Sequence, residues 1–278
     1  MTGKTSEVLK QLEAGIQSLF DSDRYREYLR FLARFHTYST ANTVLIFTQM
    51  PSASLCAGMT TWNKQGCYIK KGERGLRIIA PSTRKETDEN GDERIIVSYH
   101  PATCFDVSQV ACQAGKTLPR LTRVLDDPVA GFSDLFSVLK DISPVPIDFE
   151  PIPGDTCNGY FHPGECRIAI KEGLPESMVI RVALHEICHS WLHAEGAEEE
   201  NADRHTADRH TKETEAESVA FVVSEYLGLD TSDYSFGYLA GWASERSLPE
   251  FRSSLETIKN TADRMIGMLE ERSDLFER

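Results

Sequence analysis

The stretch LHEICHSWLH, residues 184–193, places His185 and His189 four positions apart, with Glu186 directly after the first histidine. On an α-helix, residues i and i+4 lie on the same face, so the two imidazoles can bind one metal ion. Glu186 lies to the side of that face, where its carboxylate can reach a water molecule beside the ion. The stretch predicts a helical metal site, and an ordinary buried helix with polar residues is the alternative.

The sequence before this motif also favours a helix. Pro175 can occupy the first turn, where its missing N–H group has no helical partner to lose. Apolar residues then recur at the spacing of a buried helical stripe. They are Met178, Val179, Val182, Ala183, Ile187 and Trp191.

A catalytic zinc site has three protein ligands and leaves the fourth position to water. The segment TKETEAESVAFVVSEYLG, residues 211–228, predicts a second helix that ends at Gly228. Glu213 and Glu217 lie four residues apart on this helix and share a face. One carboxylate can bind the ion while the other orients a ligand, which is the arrangement of glutamate-zincin peptidases.

Two histidines between these helices are alternative ligands. His205 and His210 lie in a tandem duplication, ADRHTADRHT at 202–211, which predicts a loop. The metzincin pattern is excluded because His193 follows His189 too closely and the required glycine is missing. A peptidase also needs a residue that stabilises an oxyanion. The candidates are Tyr160, His162, His205 and Tyr238.

Composition and charge describe a globular protein with two unlike halves. Of 278 residues, 40% are hydrophobic and 26% are charged, as in ordinary folded domains. Residues 1–123 carry 17 Lys and Arg against 12 Asp and Glu, whereas residues 124–278 carry 13 against 31. This asymmetry predicts two domains, 1–123 and 124–278, with different partners.

The cysteines and the hydropathy bear on the compartment. Seven cysteines are scattered without a C-x-x-C pair, so we expect neither a disulfide framework nor a cysteine zinc finger. No apolar run approaches the roughly 20 residues of a membrane span, and the N-terminus lacks the pattern of a signal peptide. We therefore expect a cytoplasmic protein without a membrane partner.

Periodicity predicts an α+β fold. The first 50 residues have helical spacing, and two β-rich segments then flank the turn signal Asn90–Gly91. Residues 145–173 read as short strands with Pro and Gly turns, and the rest is mostly helical. The prediction is a small N-terminal domain of helices and a β-hairpin, followed by a mainly helical domain with a short antiparallel sheet.

The segment TTWNKQGCYIKKGERGLRIIAPSTRK, residues 60–85, mixes cations with Trp62 and Tyr68. Cations that follow a phosphate backbone, together with aromatic faces on which bases stack, are typical of single-stranded DNA binding. A solvated hairpin with Trp62 in the core is the alternative. The cations that could contact phosphates are Lys64, Lys70, Lys71, Arg74 and Arg77.

Several of these segments together resemble a known family. STANTVLIFTQMP at 39–51, GMTTWNKQGCYIKKGERGLRIIAP at 58–81 and FDVSQ at 105–109 resemble the N-terminal single-stranded-DNA-binding domain of ArdC-type antirestriction proteins. CRIAI, LHEICH and ETEAES resemble the zinc metallopeptidase domain of the same proteins, which is related to the ImmA/IrrE family. The order of these segments along the chain strengthens the resemblance.

The resemblance implies a zincin-like C-terminal domain with Zn²⁺ held by His185, His189 and Glu213. It also implies Glu186 as general base and acid, and Glu217 beside the ligands. Asn42 and Trp62 join the cations above as implied DNA-binding residues. The implied function is that of a mobile-element or phage protein that protects incoming single-stranded DNA and hydrolyses a peptide or protein substrate.

Three other functions remain open. A regulatory zinc peptidase that cleaves a repressor would need no DNA contact, and it predicts a buried Trp62. A DNA-binding protein with a structural zinc would have a closed site of four ligands. A nuclease fits less well, because two imidazoles and one carboxylate suit zinc better than magnesium.

Overall fold

A computed structural model of the chain contains two compact units, residues 1–19 with 38–121 and residues 20–37 with 122–278. The predicted boundary at 123/124, the Asn90–Gly91 turn, and His205 and Tyr238 lie outside the described residues. The described residues are 3–87, 93–113, 115–117, 131–154, 157–192, 207–232, 234, 242 and 246–272.

Helices and small sheets alternate along the described chain, and the α+β class is confirmed. The helices described are α1 (Gly3–Ser18), α2 (Ser22–Phe35), α3 (Thr40–Gln49), α4 (Met59–Lys64), α5 (Phe132–Ile142), α6 (Glu176–Leu192), α7 (Arg209–Tyr226) and α8 (Leu248–Glu271). The strands described are β1 (Cys56–Ala57), β2 (Cys67–Ile69), β3 (Leu76–Thr87), β4 (Glu93–Asp106), β5 (Val110–Cys112), β6 (Ile147–Glu150), β7 (Gly159–His162) and β8 (Arg167–Lys171).

In the first unit, β3 is an edge strand of the sheet β1–β4–β3, and side chains of α3 occupy part of its outer edge. Asn42 Nδ2 donates to the carbonyl of Ile79 at 2.9 Å, and Asn42 Oδ1 accepts from Ile79 N at 2.8 Å. Gln49 makes the same pair of bonds with Arg77, each 2.9 Å long. The two amides satisfy backbone groups that a neighbouring strand would otherwise pair.

Asp106 joins β4 to the segment before β1. Its carboxylate is buried and accepts from Ser54 N at 2.7 Å, Leu55 N at 3.0 Å and Ser108 N at 2.9 Å. Gln109 Oε1 accepts from Asp106 N at 3.0 Å and completes a capping box. Burial raises the pKa of Asp106, but these hydrogen bonds outweigh it and lower the pKa below its usual value.

Trp62 lies in the core of the first unit. Its side chain is 1% exposed and packs against Cys67 and Val110. The indole Nε1 donates to the carbonyl of Phe105 at 3.0 Å, so the one polar group of the ring is satisfied. The alternative of a core tryptophan is therefore the one that the structure adopts.

One disulfide, between Cys67 and Cys112, is present where the sequence predicted no disulfide framework. The two cysteines lie directly opposite each other in the antiparallel pair β2–β5, with their Cα atoms 3.9 Å apart. Their separation of 45 residues gives no indication of this pairing in the sequence. Cys56, Cys104 and Cys188 are buried free thiols.

The second unit contains a three-stranded sheet in the order β6–β8–β7, and α6 packs against β7 and β8. β6 runs parallel to β8, and β7 runs antiparallel to it, so the sheet is mixed and not purely antiparallel as predicted. α2 groups with this unit, although the sequence placed it in the N-terminal domain. The buried contact between Tyr25 Oη and Ser218 Oγ, 2.8 Å, fixes α2 against α7.

Among the residues that the structure describes, no helix is both long and apolar enough to cross a membrane. The longest described helix, α8, has 24 residues but alternates buried apolar positions with charged ones. Such alternation is that of a helix packed on one side against a protein core.

We expect Asp106→Asn to destabilise the protein by about 1–3 kcal/mol, because a buried charged acceptor of three backbone N–H groups is lost. The folded pKa of Asp106 is lowered, so its contribution is present above the unfolded pKa and is lost as pH falls through the folded pKa. Urea unfolding at neutral and acidic pH measures both effects. Glu13→Gln, at an exposed position, is the control, and an equal loss in both variants would contradict the assignment.

Candidate metal centre

α6 lies close to the edge strand β7, and Gly159 makes this approach possible. A Cβ atom at Gly159 would lie 2.4 Å from Val182 Cγ1 on α6 and 2.8 Å from the carbonyl oxygen of Ala169. Real carbon atoms do not approach so closely, so the strand carries glycine at this point. Of the apolar stripe predicted for α6, Val179, Ala183, Ile187 and Trp191 are buried, whereas Met178 and Val182 are half-buried.

The second copy of the ADRHT duplication begins α7. Asp208 is the N-cap residue, and its carboxylate accepts from Thr211 N at 3.1 Å and from Thr211 Oγ1 at 2.9 Å. The indole Nε1 of Trp242 donates to the same threonine oxygen at 3.0 Å. This copy is therefore a capping sequence, and it fixes where the helix that carries Glu213 starts.

Three side chains from α6 and α7 converge at one point. His185 Nε2 lies 3.0 Å from His189 Nε2, and Glu213 Oε2 lies 3.5 Å and 3.7 Å from these two nitrogens. A point about 2 Å from all three atoms lies within this triangle, and that is the bond length of zinc to nitrogen and oxygen ligands. These three residues could hold a metal ion, and His210 is not part of the group.

Glu217 supports the first histidine from the other side of the ring. Its Oε2 atom lies 3.3 Å from Nδ1 of His185, the nitrogen that faces away from the convergence point. Burial lowers the pKa of His185, but the nearby carboxylates of Glu213 and Glu217 outweigh it and raise the pKa to about 10. His185 and His189 in turn lower the pKa of Glu213 well below its usual range. The pairing of carboxylate with imidazole is the support that metal-binding histidines commonly have.

Glu186 is buried beside the three converging side chains. Its side chain is mostly shielded from solvent and accepts a hydrogen bond from the backbone N–H of Phe161 on β7. Burial raises the pKa of Glu186, while the charge of His185 and the Phe161 N–H lower it by less. A carboxylate with a raised pKa next to a metal site suits the transfer of a proton.

Tyr160 and His162 do not point towards this centre. Side chains alternate along a strand, so they lie on the sheet face opposite to that of Gly159, which approaches α6. The hydroxyl of Tyr160 donates to Glu150, and Nδ1 of His162 accepts from Glu165 N at 3.0 Å. The structure removes both from the candidates for stabilising an oxyanion.

The N-terminal part of the chain matches a known family. The family model for the N-terminal domain of anti-restriction factor ArdC matches residues 3–105. The resemblance to ArdC-type antirestriction proteins, inferred from the sequence segments, is thereby confirmed.

Solved structures extend the likeness over most of the chain. The metal-free crystal structure of the antirestriction ArdC protein from the R388 plasmid matches with a TM-score of 0.56 and 20% identity, over 87% of each chain. The Mn(II)-bound structure of the same protein matches with a TM-score of 0.54 and 18% identity, over 86% of each chain. This likeness shows a common fold.

A Bacillus anthracis protein, pXO2-81, is 23% identical over 99% of this chain. The alignment covers 53% of that protein, so the chain spans about half the length of the curated relative that it matches.

Within the ArdC-type domain, two predicted DNA-binding residues have structural roles. The ring of Trp62 is buried and offers no face to a base, so the stacking predicted for it does not fit this structure. The amide of Asn42 is occupied by the backbone of Ile79. The remaining predicted residues, Lys64, Lys70, Lys71, Arg74 and Arg77, are exposed.

Tyr68 offers the aromatic face that Trp62 does not. It is 51% exposed, and Lys70 follows it by two residues, directly after the end of β2. The side chain of Lys116 lies next to Gly66, two residues before Tyr68, with Cγ 3.1 Å from where a Cβ would stand. Sequence reasoning missed Lys116 because it is distant in the chain and only the β2–β5 pairing brings it close.

Several of the cations are free of partners within the described part of the chain. The side chains of Lys64, Lys71 and Arg74 form no hydrogen bond or ion pair with another described residue. Lys70 Nζ donates to the carbonyl of Ser108 at 2.8 Å, and Arg77 pairs with Glu7 at 2.7 Å. These exposed pairs cost little to break, so both cations can exchange partners.

We expect His185→Ala and His189→Ala to abolish binding of Zn²⁺ and Mn²⁺, because each removes one corner of the ligand triangle. Glu217→Gln should weaken binding by about 10–100-fold, since it removes a charged partner of a ligand. Calorimetric titration and metal analysis after dialysis measure both effects. His162→Ala is the control, and full binding by the double histidine variant would exclude this site.

Proposed function

We propose that the chain protects the incoming DNA of a mobile element or phage from restriction, by binding single-stranded DNA and hydrolysing a peptide bond with a zinc-dependent site. The observation that carries the enzymatic part is the triangle of His185, His189 and Glu213 with Glu186 buried beside it. The ArdC N-terminal family and the fold of R388 ArdC support the antirestriction part. The Mn(II)-bound relative supports a divalent ion at this site.

The chemistry follows from what each side chain can do. A bound Zn²⁺ ion would supply Lewis-acid polarisation of a peptide carbonyl and of a water molecule. Glu186 accepts the proton of the attacking water and passes it to the leaving amine. Its buried position and its bond from Phe161 N–H hold the carboxylate in place for both transfers. Glu217 keeps the ring of His185 in the orientation in which Nε2 faces the ion.

We expect Glu186→Gln to keep metal affinity and fold while lowering hydrolysis of labelled casein by about 10²–10⁴-fold, because the general base is lost. Zinc analysis and the release of fluorescent peptides measure the two properties. Glu172→Gln, at an exposed position in the same unit, is the matched control and should hydrolyse casein at the wild-type rate.

Glu186→Gln and its control Glu172→Gln also test whether hydrolysis is needed to protect DNA from restriction. Cells that express each variant receive a single-stranded plasmid that carries restriction sites, and surviving transformants are counted. Loss of protection in Glu186→Gln supports the coupled function. Protection at the wild-type level would contradict it and favour a metal with a structural role.

The DNA-binding part rests on the exposed surface around Tyr68. An aromatic face beside Lys70, Lys71 and Lys116 combines stacking with phosphate contacts, as sequence-independent single-strand binding requires. Trp62 is buried in the core, where it packs against Cys67 of β2. A cytoplasmic location is part of the proposal, because incoming DNA meets restriction enzymes there.

We expect Tyr68→Ala to weaken binding of a labelled single-stranded oligonucleotide by about 1–3 kcal/mol through lost stacking. Lys70→Ala with Lys71→Ala should lower the slope of log affinity against log salt by about 0.7 per lost phosphate contact. Fluorescence anisotropy at several salt concentrations measures both. Tyr68→Phe keeps the ring and is the control, and unchanged affinity in Tyr68→Ala would move the DNA site elsewhere.

A second candidate is a regulatory zinc peptidase that cleaves a repressor and has no DNA role. The burial of Trp62 favours it, because this candidate predicts a core tryptophan. The two candidates differ in one measurement, the binding of single-stranded DNA by the full chain. Binding that is lost with the Tyr68 surface excludes the second candidate.

A further inference from the structure

The hairpin β3–β4 carries an exposed apolar row. Ile95, Val97 and Tyr99 on β4 are 69%, 49% and 68% exposed. They alternate along the strand, so their side chains share one face, together with their cross-strand partners Lys85 and Thr83. Large apolar side chains that are exposed in a row mark an interaction surface more often than chance scatter does.

The same three residues direct their backbone groups towards the open edge of β4. In an antiparallel pair, opposite residues either exchange hydrogen bonds or both point away from each other. Arg77 and Ile79 point away from β4, because they bond to the amides of α3. The unbroken register of β3 and β4 extends this pattern to every second residue, so the N–H and C=O groups of Ile95, Val97 and Tyr99 face outwards.

The outer edges of β3 and β4 differ in how their backbone groups are covered. The edge of β3 is covered by Asn42 and Gln49 and then interrupted by Pro81, whose missing N–H group faces outwards. β1 pairs with β4 only at Phe105 and Asp106. Within the described residues, no partner binds the outward groups of β4 between 95 and 99.

The charges of the hairpin do not favour nucleic acid. Lys85 pairs with Glu93 at 2.6 Å, and Arg84 pairs with Glu86 at 3.4 Å, so these cations are balanced within the hairpin. The connecting sequence 88–92 adds three acidic residues and no basic one. A neutral apolar face with an unpaired edge suits a protein strand better than a phosphate backbone.

We infer that β4 pairs with β4 of a second copy of this chain, antiparallel and centred on Val97. In this register Val97 lies opposite Val97 of the partner copy, and Ile95 lies opposite Tyr99. The apolar row of one copy thus contacts the same row of the other copy across a two-fold axis, as a closed dimer interface requires. Pro101 has no N–H group to donate and limits the pairing on the side of β1.

The antiparallel pairing of the two β4 strands places compatible side chains opposite each other. On the apolar face the central contacts join β-branched and aromatic side chains, which are favourable cross-strand pairs. On the opposite face Ile96 meets Ser98, and no like charges are directly opposed within 95–99. The two hairpins would form a four-stranded sheet, which removes the exposed edge from both copies.

The test is the mass of the full-length protein by sedimentation velocity over a range of concentrations. We expect the wild type to form dimers, and Val97→Glu to raise the dissociation constant about tenfold or more by placing two carboxylates opposite each other. Thr83→Glu puts the same charge on the same face one strand away from the interface, and it should keep the dimer. Circular dichroism confirms that both variants are folded.

Cross-linking tests the register. Opposite Cα atoms in a hydrogen-bonded antiparallel pair are about 5.5 Å apart, within the range of a disulfide. Val97→Cys should therefore give a covalent dimer under mild oxidation. Ser98→Cys, one residue along, faces Ile96 of the other copy and should not.

Each remaining outcome overturns the proposal. A wild type that stays monomeric at all concentrations excludes the dimer, and a mass that grows without limit indicates open association in its place. An unchanged mass for Val97→Glu with weaker binding of a single-stranded oligonucleotide would assign the row to DNA. Equal cross-linking of both cysteine variants would exclude this register.

Discussion

The close packing of α6 on the edge strand β7 is the constraint on which the metal centre depends. Gly159 leaves room for Val182, and this approach brings the N–H group of Phe161 within reach of Glu186. A larger residue in place of the glycine would push the helix away from the strand. The distance between the helix and the strand therefore decides whether the buried carboxylate has a hydrogen-bond donor.

The centre concentrates negative charge around two imidazoles. Glu213 and Glu217 contact opposite nitrogens of His185, and Glu186 lies beside it in the interior. Such a group of buried or half-buried carboxylates is costly unless cations compensate it. These carboxylates raise the pKa of His185, so the positively charged imidazole is favoured over the neutral one. A divalent cation satisfies the same requirement, and this links the electrostatics to the proposed chemistry.

The first unit repeatedly uses polar side chains to complete irregular backbone. Asp106 binds the N–H groups that precede β1, and Asn42 and Gln49 pair with an edge strand as a neighbouring strand would. Backbone groups that lack partners are unfavourable when they are shielded from water, so these side chains stabilise a small sheet. Among the described residues, the outer edge of β4 between 95 and 99 has no such side-chain partner, and the inference of a dimer starts from this open edge.

The sequence alone predicted the residue spacings of the candidate metal site. A spacing of four residues on a helix places His185 with His189, and Glu213 with Glu217, whatever surrounds them, because helical geometry is local. The sequence also indicated the hairpin, although its turn lies outside the described residues. The sequence did not decide whether Trp62 is buried or exposed, because an indole among cations suits a core and a DNA-binding surface equally.

Only the tertiary structure decided which residues meet. The convergence of α6 with α7, the Cys67–Cys112 bond, the position of Lys116 beside Gly66 and the parallel pairing of β6 with β8 all join segments that are distant in the chain. Such contacts depend on how elements pack, and periodicity within one element carries no information about its neighbour. Burial of Trp62 is of the same kind, because a side chain becomes part of a core only when other elements enclose it.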